Sequence, residues 1–389
     1  MKIFLTSIFA QTLVTVYILY RAWYAFAPIK TWRSVLISAI IIEELLFFSA
    51  YFFHQRMSSE LLSFIQIVCG TWFIASIYLA GFLLIVDFAR LINHYFPFYP
   101  KWVKTYYDRV KLSLLLFFIF LVSFFLYSGY RSYQHPKVKH QTIHIAKKAG
   151  GGMHSLRIAF ASDIHSGYVI ERSQLRKYVD LINEQHCDMI VLGGDLIDYD
   201  LHILNQQGMA NELRRLQAPL GVYTILGNHE YRFNTEKKIE WMKKAGLTVL
   251  RDSVVMPRFA FYLVGRDDKK NVGRDALGYL LEGLDKSKPI IVANHQPTNL
   301  WESVRNGVDF EMMGHVHDGQ IWPHNWVMKW YWDGYSKGYR KMGNTQFFIT
   351  SGLGLSGPPY RIFTDSELLV FDIVFGAEAD SLTVQKEQE

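Results

Sequence analysis

The sequence predicts an α/β domain in the C-terminal part of the chain, preceded by an all-α region of four transmembrane helices. Three observations carry that prediction. Long apolar stretches crowd the first 130 positions. Short runs rich in β-branched residues, each followed by Gly, Asp, Asn or His, recur from residue 155 onward. Charge divides at the same place: residues 1–150 hold 15 Lys+Arg and 5 Asp+Glu, a net of +10, and the remainder nets −4.

The predicted spans are Lys2–Tyr20, Ser34–Phe53, Leu61–Val86 and Leu112–Tyr130. A helix rises about 1.5 Å per residue, so about 20 apolar residues cross a hydrocarbon core of about 30 Å. The stretches lack the polar face that a buried soluble helix would keep. The first has no small-residue cleavage site and runs directly into Arg21 and Trp23, which favours a span over a removed signal peptide. Glu43 and Glu44 fall mid-span, where ionisable groups are costly and mark a packing or functional contact. Asp87 and Arg90, three apart at the end of the third span, read as an interfacial pair.

A multi-pass protein of the cell membrane is expected. Seven cations flank one side and eight the other, so the positive-inside rule does not choose the face that carries the C-terminal domain. The basic excess of the first region suits anionic headgroups. With no basic stripe on the acidic remainder and no reading motif, nucleic acid is not an expected partner. Cys69 and Cys187 lie in different regions, which leaves no disulfide within either. The expected organisation is 1–132 transmembrane, 133–154 linker, 155–375 catalytic domain and 376–389 polar tail, with the oligomeric state left open. The linker assignment rests on its Lys, its His residues and Gly150-Gly151-Gly152.

Five fragments in the second region then stand out. Asp163-Ile-His165 follows the run Leu156–Ala161, and Gly194-Asp195 follows Met189–Leu192. Gly227-Asn228-His229-Glu230 follows Val222–Leu226, Asn294-His295 follows Pro289–Ala293, and Gly314-His315-Val316-His317 follows Phe310–Met313. Such runs read as buried strands, and the carboxyl edge of an open α/β sheet is where sites form. Asp195 lies 32 residues after Asp163, Asn228 lies 33 after Asp195, and His295 lies 66 after His229. Those gaps fit one strand-helix unit, or two, with helices expected over Ser173–Gln185, Thr235–Ala245 and Arg274–Leu284. Hard carboxylate oxygens with imidazoles suit divalent manganese, iron or zinc. Each fragment alone is ordinary turn chemistry; together and in this order they are not. A strict strand would point His315 and His317 to opposite faces. The chain must therefore leave strand geometry there, as Gly314 and Gly319 permit.

On these fragments, residues from about 155 to 375 resemble a calcineurin-like metallophosphoesterase. The segments Gly319–Pro323 and Ser351–Arg361 resemble more narrowly the membrane-associated bacterial branch, which includes hydrolases of UDP-diacylglucosamine. The resemblance implies a four-layer α/β/β/α sandwich and two metal ions, manganese favoured over iron and zinc. One ion would be held by Asp163, His165, the bridging Asp195 and His317; the second by Asp195, Asn228, His295 and His315. His229 would contact the phosphate and protonate the leaving oxygen as the catalytic residue. Glu230 would orient that imidazole, or simply serve as a helix-start carboxylate. Asp318 departs from the pattern, where relatives carry glycine after the second His, and an extra carboxylate there would tune or crowd the metal.

The chemistry that follows is hydrolysis of a phosphodiester or pyrophosphate bond by a metal-bridging hydroxide, with a lipid or lipid-linked phosphate as the expected substrate. Two metals about 3.5–4 Å apart cancel the anion's charge and bring water's pKa towards 7. No Gly-x-Ser-x-Gly or cysteine nucleophile motif points to a covalent intermediate. The competing readings are a broad phosphomonoesterase and an inactive membrane scaffold. The aromatic run Trp322, Trp326, Trp330, Tyr331, Trp332, Tyr335 and Tyr339 is read either as a bilayer-interface element that guides a lipid-linked substrate or as a cap packed on the domain.

Overall fold

The computed structural model describes residues 2–25, 30–53 and 57–376. The expected polar tail from 377 on lies outside the described residues. The chain divides into two compact units, Met1–Arg131 with Gly357–Tyr360, and Ser132–Ser356 with Arg361–Glu389.

The first unit is helical: α1 (Lys2–Ala25), α2 (Lys30–Phe53), α3 (Ser59–Tyr95), α4 (Lys101–Thr105) and α5 (Tyr107–Gln134). The four long helices overlap the four predicted stretches, but the structure supports two candidate spans rather than four. Among the described residues, α3 and α5 are long and apolar enough to cross a membrane. Ser58 caps α3, its hydroxyl accepting from the Leu61 amide at 3.3 Å. One side-chain oxygen each of Glu43 and Glu44 is buried without a hydrogen-bond partner among the described residues, a costly arrangement for a carboxyl. Asp87 pairs with Arg90 at 3.5 Å and, more closely, with Arg21 of α1 at 2.8 Å.

The second unit begins with β1 (Lys137–Ile145), β2 (Ser155–Ala161), α6 (Arg172–Asn183) and β3 (Met189–Leu192). Next come α7 (His202–Gln206), α8 (Met209–Leu213), β4 (Val222–Thr224), α9 (Thr235–Lys244), β5 (Thr248–Val249) and β6 (Ser253–Val255). The chain continues with β7 (Tyr262–Gly265), α10 (Leu277–Leu280), β8 (Ile290–Ala293), α11 (Leu300–Asn306) and β9 (Phe310–Met313). It closes with α12 (His324–Tyr331), β10 (Gly338–Met342), β11 (Thr345–Ile349) and β12 (Glu367–Phe375).

These strands form two six-stranded mixed sheets, ordered β1-β12-β2-β3-β4-β5 and β10-β11-β9-β8-β7-β6. Alternation sets the layers. Leu156, Ile158 and Phe160 of β2 and Val191 of β3 meet Ile291, Phe310 and Met312 of the other sheet in a shared core. The opposite face of the first sheet, Ala159, Ala161, Ile190 and Leu192, packs on Leu175, Val179, Leu213 and Met242 of α6, α8 and α9. Val264, Ile290 and Val292 cover the outer face of the second sheet beneath Leu277 of α10, and Met313 lies beside Leu300 of α11. The order is helix, sheet, sheet, helix, as the sandwich requires.

Two elements differ from expectation. Residues 133–154, read as a linker, contain β1, which pairs in parallel with β12 from Lys137 opposite Glu367 to Ile145 opposite Phe375. Ile143 and Ile145 are buried there, while the charged and polar residues ahead of them hide the alternation. The helix expected over Arg274–Leu284 is one turn, α10, bounded by Gly283 in left-handed conformation at φ 74°.

Candidate metal centre

All five ligand-bearing segments leave the carboxyl ends of strands. Asp163 and His165 follow β2, Asp195 follows β3, Asn228 and His229 follow β4, His295 follows β8, and His315 and His317 follow β9. Directly past the strands the backbone turns sharply: Asp163, His165, Asp195, His315 and His317 all adopt left-handed conformations, with φ between 50° and 75°. Non-glycine residues rarely do so, and clustered instances mark sites where neighbours enforce the strain. Here the Asp163 amide donates to the Gly194 carbonyl at 3.0 Å and the His165 amide to the Asp195 carbonyl at 2.8 Å, tying the first loop to the second. Leaving the strand at Met313 is what lets His315 and His317 serve one cluster. Close approach also requires glycine: a Cβ on Gly227 would lie 2.2 Å from Asp195 Oδ1, and one on Gly314 would lie 2.4 Å from Asp163 Oδ2.

The side chains converge in two groups that share Asp195. Asp163, His165 and His317 form one, with His165 Nε2 3.1 Å from His317 Nε2 and His317 Nε2 3.3 Å from Asp163 Oδ1. Asp195, His295 and His315 form the other, with His295 Nε2 3.2 Å from Asp195 Oδ2 and 3.3 Å from Asn228 Oδ1. Asp195 Oδ2 is also 3.7 Å from His165 Nε2, so this one oxygen faces both groups. Its partner Oδ1 accepts from the His229 amide at 2.7 Å. All seven residues expected as ligands are thus brought together.

The donor set fits a pair of divalent cations. Asp163 and Asp195 are essentially fully buried, and buried carboxylates need compensating charge. In the protein alone, imidazoles supply it. Burial pulls the pKa of His295 down, but Asp195 and Asp163 more than offset this and hold it well above the usual histidine value. Burial pushes Asp195 up, and His295 with its neighbours brings it well below the ordinary carboxylate range. His317 stays neutral, its pKa pushed down to about 3 by burial despite Asp163, which is the form a metal ligand needs. His295 Nδ1 lies 2.9 Å from the Gly193 carbonyl, an acceptor that fixes the proton on Nδ1 and turns Nε2 toward Asp195.

Three further residues complete the centre. Asp198 Oδ1 stands 3.3 Å from His165 Nδ1 and 2.7 Å from His229 Nδ1, so one carboxylate orients both imidazoles. Burial raises the Asp198 pKa, and His165 and His229 outweigh it, leaving the group ionised. It lies three residues past Asp195, a spacing visible in the sequence but unremarkable in a turn. Lys238, buried on α9, donates from Nζ to the His229 carbonyl at 2.8 Å. Arg361 is fully buried and donates from Nη1 to the His317 carbonyl at 3.0 Å and from Nη2 to the Gly354 carbonyl at 2.6 Å, bracing the last ligand loop.

Two expected roles are corrected. Glu230 does not touch the His229 ring: its oxygens accept from the amides of Asp195 at 2.9 Å, Ile197 at 2.9 Å and Gly227 at 2.7 Å. It therefore pins the loops that carry Asp195 and Asn228, and Asp198 performs the orienting role. Asp318 accepts from Lys337 Nζ at 3.1 Å rather than crowding the ligands. Its own left-handed backbone, φ 50°, sets that direction.

Comparison with known proteins agrees with this geometry. Residues 156–319 match the family described as calcineurin-like phosphoesterase. An uncharacterized metallophosphoesterase of Helicobacter pylori strain J99 is 28% identical over 259 residues, covering 65% of this chain and 68% of that protein. One from Aquifex aeolicus is 27% identical over 246 residues, covering 61% and 91%. A transmembrane protein with metallophosphoesterase domain from Danio rerio is 30% identical over 254 residues, covering 60% and 56%. All five ligand-bearing fragments lie within the matched segment, so the chain carries a calcineurin-like metallophosphoesterase domain, the domain of a metal-dependent phosphoester hydrolase.

Proposed function

We propose that the chain is a membrane-anchored phosphodiester or pyrophosphate hydrolase that works with two divalent metals, manganese foremost, on a lipid or lipid-linked phosphate. The observation that carries the metal count is the placement of Asp195 Oδ2 against both ligand groups. Asp163, His165, Asp195 and His317 would hold one ion, and Asp195, Asn228, His295 and His315 the other. When bound, such a pair neutralises phosphate charge and makes water nucleophilic near neutral pH.

The chain's own residues then divide the remaining work. His229 Nε2 lies 3.9 Å from Asp195 Oδ2, facing the shared oxygen. With Nδ1 held by Asp198, Nε2 is the nitrogen free to contact a phosphoryl oxygen and deliver a proton to the departing oxygen. Glu230, Lys238 and Arg361 keep the loops from spreading as charge enters.

Two features support the membrane and lipid parts of the reading: the long apolar helices α3 and α5, and the outer face of α12, where Trp326 is 63% and Trp330 79% exposed. The inner side of the same element, Met328, Trp332 and Tyr335, packs on Met313 and Val316 beside the ligand loop. The segment is thus both a cap and an apolar surface.

The test is hydrolysis of bis-(p-nitrophenyl) phosphate by the purified chain after chelation and manganese addition. Activity restored by manganese and reduced about 10²–10⁴-fold in His229→Ala is expected, with Asp195→Asn inactive. Preferred turnover of p-nitrophenyl phosphate would instead make the enzyme a phosphomonoesterase.

A further inference from the structure

The helical unit contains a cavity of about 560 Å³ that plays no part in the metal chemistry. It opens among the last turns of α1 and α3 and the first turns of α5, with the α4 region closing it. Its size falls within the roughly 300–1,000 Å³ of built ligand pockets. The walls are sorted by polarity along the helix axes. Arg21 stands four residues before the end of α1, Arg90 five before the end of α3, and Lys111 four after the start of α5. Leu83 and Phe118 line it seven residues further into α3 and α5, which is about 10 Å at 1.5 Å per residue. Cations therefore ring the helix-end level, and apolar side chains line the depth.

The cationic ring is only partly neutralised. Arg21 and Arg90 share the single carboxylate of Asp87, at 2.8 and 3.5 Å. Tyr17 donates to the other oxygen of that carboxylate at 2.8 Å, and Arg90 also donates to the Tyr107 hydroxyl. Lys111 pairs with Asp108 at 2.8 Å, but the Asp108 side chain is 71% exposed, and exposed pairs contribute little. Lys111 Nζ also reaches the Tyr24 carbonyl at 3.4 Å and the face of Tyr107 at 4.9 Å, contacts that aim it at the cavity mouth. Three cations therefore meet two carboxylates, and one positive charge is left over at the rim.

We propose that this cavity is a binding site for one anionic glycerophospholipid, its phosphate at Arg90 and Lys111 and an acyl chain between Leu83, Leu114 and Phe118. A zwitterionic lipid carries a cation that this rim repels, while an anionic headgroup meets no such penalty. A soluble anion would leave the apolar depth unfilled. The site stands apart from the hydrolase reading and does not depend on it.

The full chain, purified in mild detergent and delipidated, is titrated with dioleoyl phosphatidylglycerol or dioleoyl phosphatidylcholine, and bound lipid is counted by native mass spectrometry. The first phosphatidylglycerol should bind about fivefold tighter than the first phosphatidylcholine, the size expected of one cation facing an anionic headgroup. Arg90→Gln with Lys111→Gln should keep a first binding event and bring the two lipids to near parity. Ala89→Trp, which places a ring in the cavity, should remove the tight event for both. Equal affinity of the unaltered chain for the two lipids overturns the site, as does a preference that survives the double charge change.

Discussion

A single carboxylate, Asp198, sets the direction of two imidazoles, His165 and His229. Asparagine at that position keeps the shape and loses the charge that favours a proton on each Nδ1. Asp198→Asn should lower kcat about 10–100-fold and weaken manganese affinity by a similar factor, the usual cost of losing a partner that orients metal ligands. Steady-state kinetics across a manganese series checks both, and unchanged values would remove Asp198 from the centre. The convergence of the seven residues was legible in the sequence because each follows an apolar run at a strand end, where position restricts chemistry. Asp198 was not, because its role exists only once the β2 and β4 loops stand beside the β3 loop. Glu230 shows the same limit from the other side: a carboxylate next to His229 in sequence turns out to serve three backbone amides across two loops.

Elements were legible where burial is two-sided. The runs Met189–Leu192, Ile290–Ala293 and Phe310–Met313 are apolar or fully buried on both faces, and read as strands without alternation. β1 was missed because its first half carries Lys137, Lys139 and His140, and Lys139 pairs with buried Glu367 at 2.7 Å. Helix packing offers a pH-dependent test. Glu212 of α8 accepts from Arg176, Arg172 and Arg215, and Arg176 together with the others outweighs burial and brings its pKa down to about 2. A depressed carboxyl pKa stabilises above the unfolded value, near 4.5, and that contribution fades as pH falls toward 2. Glu212→Gln should therefore lower the melting temperature by about 2–4 °C above pH 4.5, the shift of about 1 kcal/mol in a domain of this size. The difference should shrink on acidification, and a difference that grew instead would contradict the assignment. The outer face of α12 is tested in proteoliposomes made with brominated lipid. If Trp326 and Trp330 sit in lipid, changing both to serine should lower the quenched share of fluorescence from the chain's 10 tryptophans; an unchanged or larger share would place them in water.

At the scale of the whole molecule, the candidate metal centre is placed where bound ions would hold the globular unit together. Its ligands come from five strand ends, three in one sheet and two in the other, so ions bound there cross-link the two halves of the sandwich. Without them, buried Asp163 and Asp195 rely on the amides of His315 and His229 and on imidazoles such as His295 that must hold a proton to compensate them. The unfolded chain scatters the same ligands over more than 150 residues and binds metal weakly, so binding energy appears as folding energy. At a free manganese concentration of 100 times the dissociation constant, one site contributes about 2.7 kcal/mol. In a domain of this size that raises the unfolding temperature by roughly 5–10 °C. Calorimetry of the chelated chain against a manganese series should show the transition of the globular unit climbing with the logarithm of concentration. Asp195→Asn, which removes charge from the oxygen facing both groups, should flatten that climb more than Asp163→Asn, which touches one group alone. Equal slopes for the two variants would mean that the ions are held independently and that Asp195 does not bridge them.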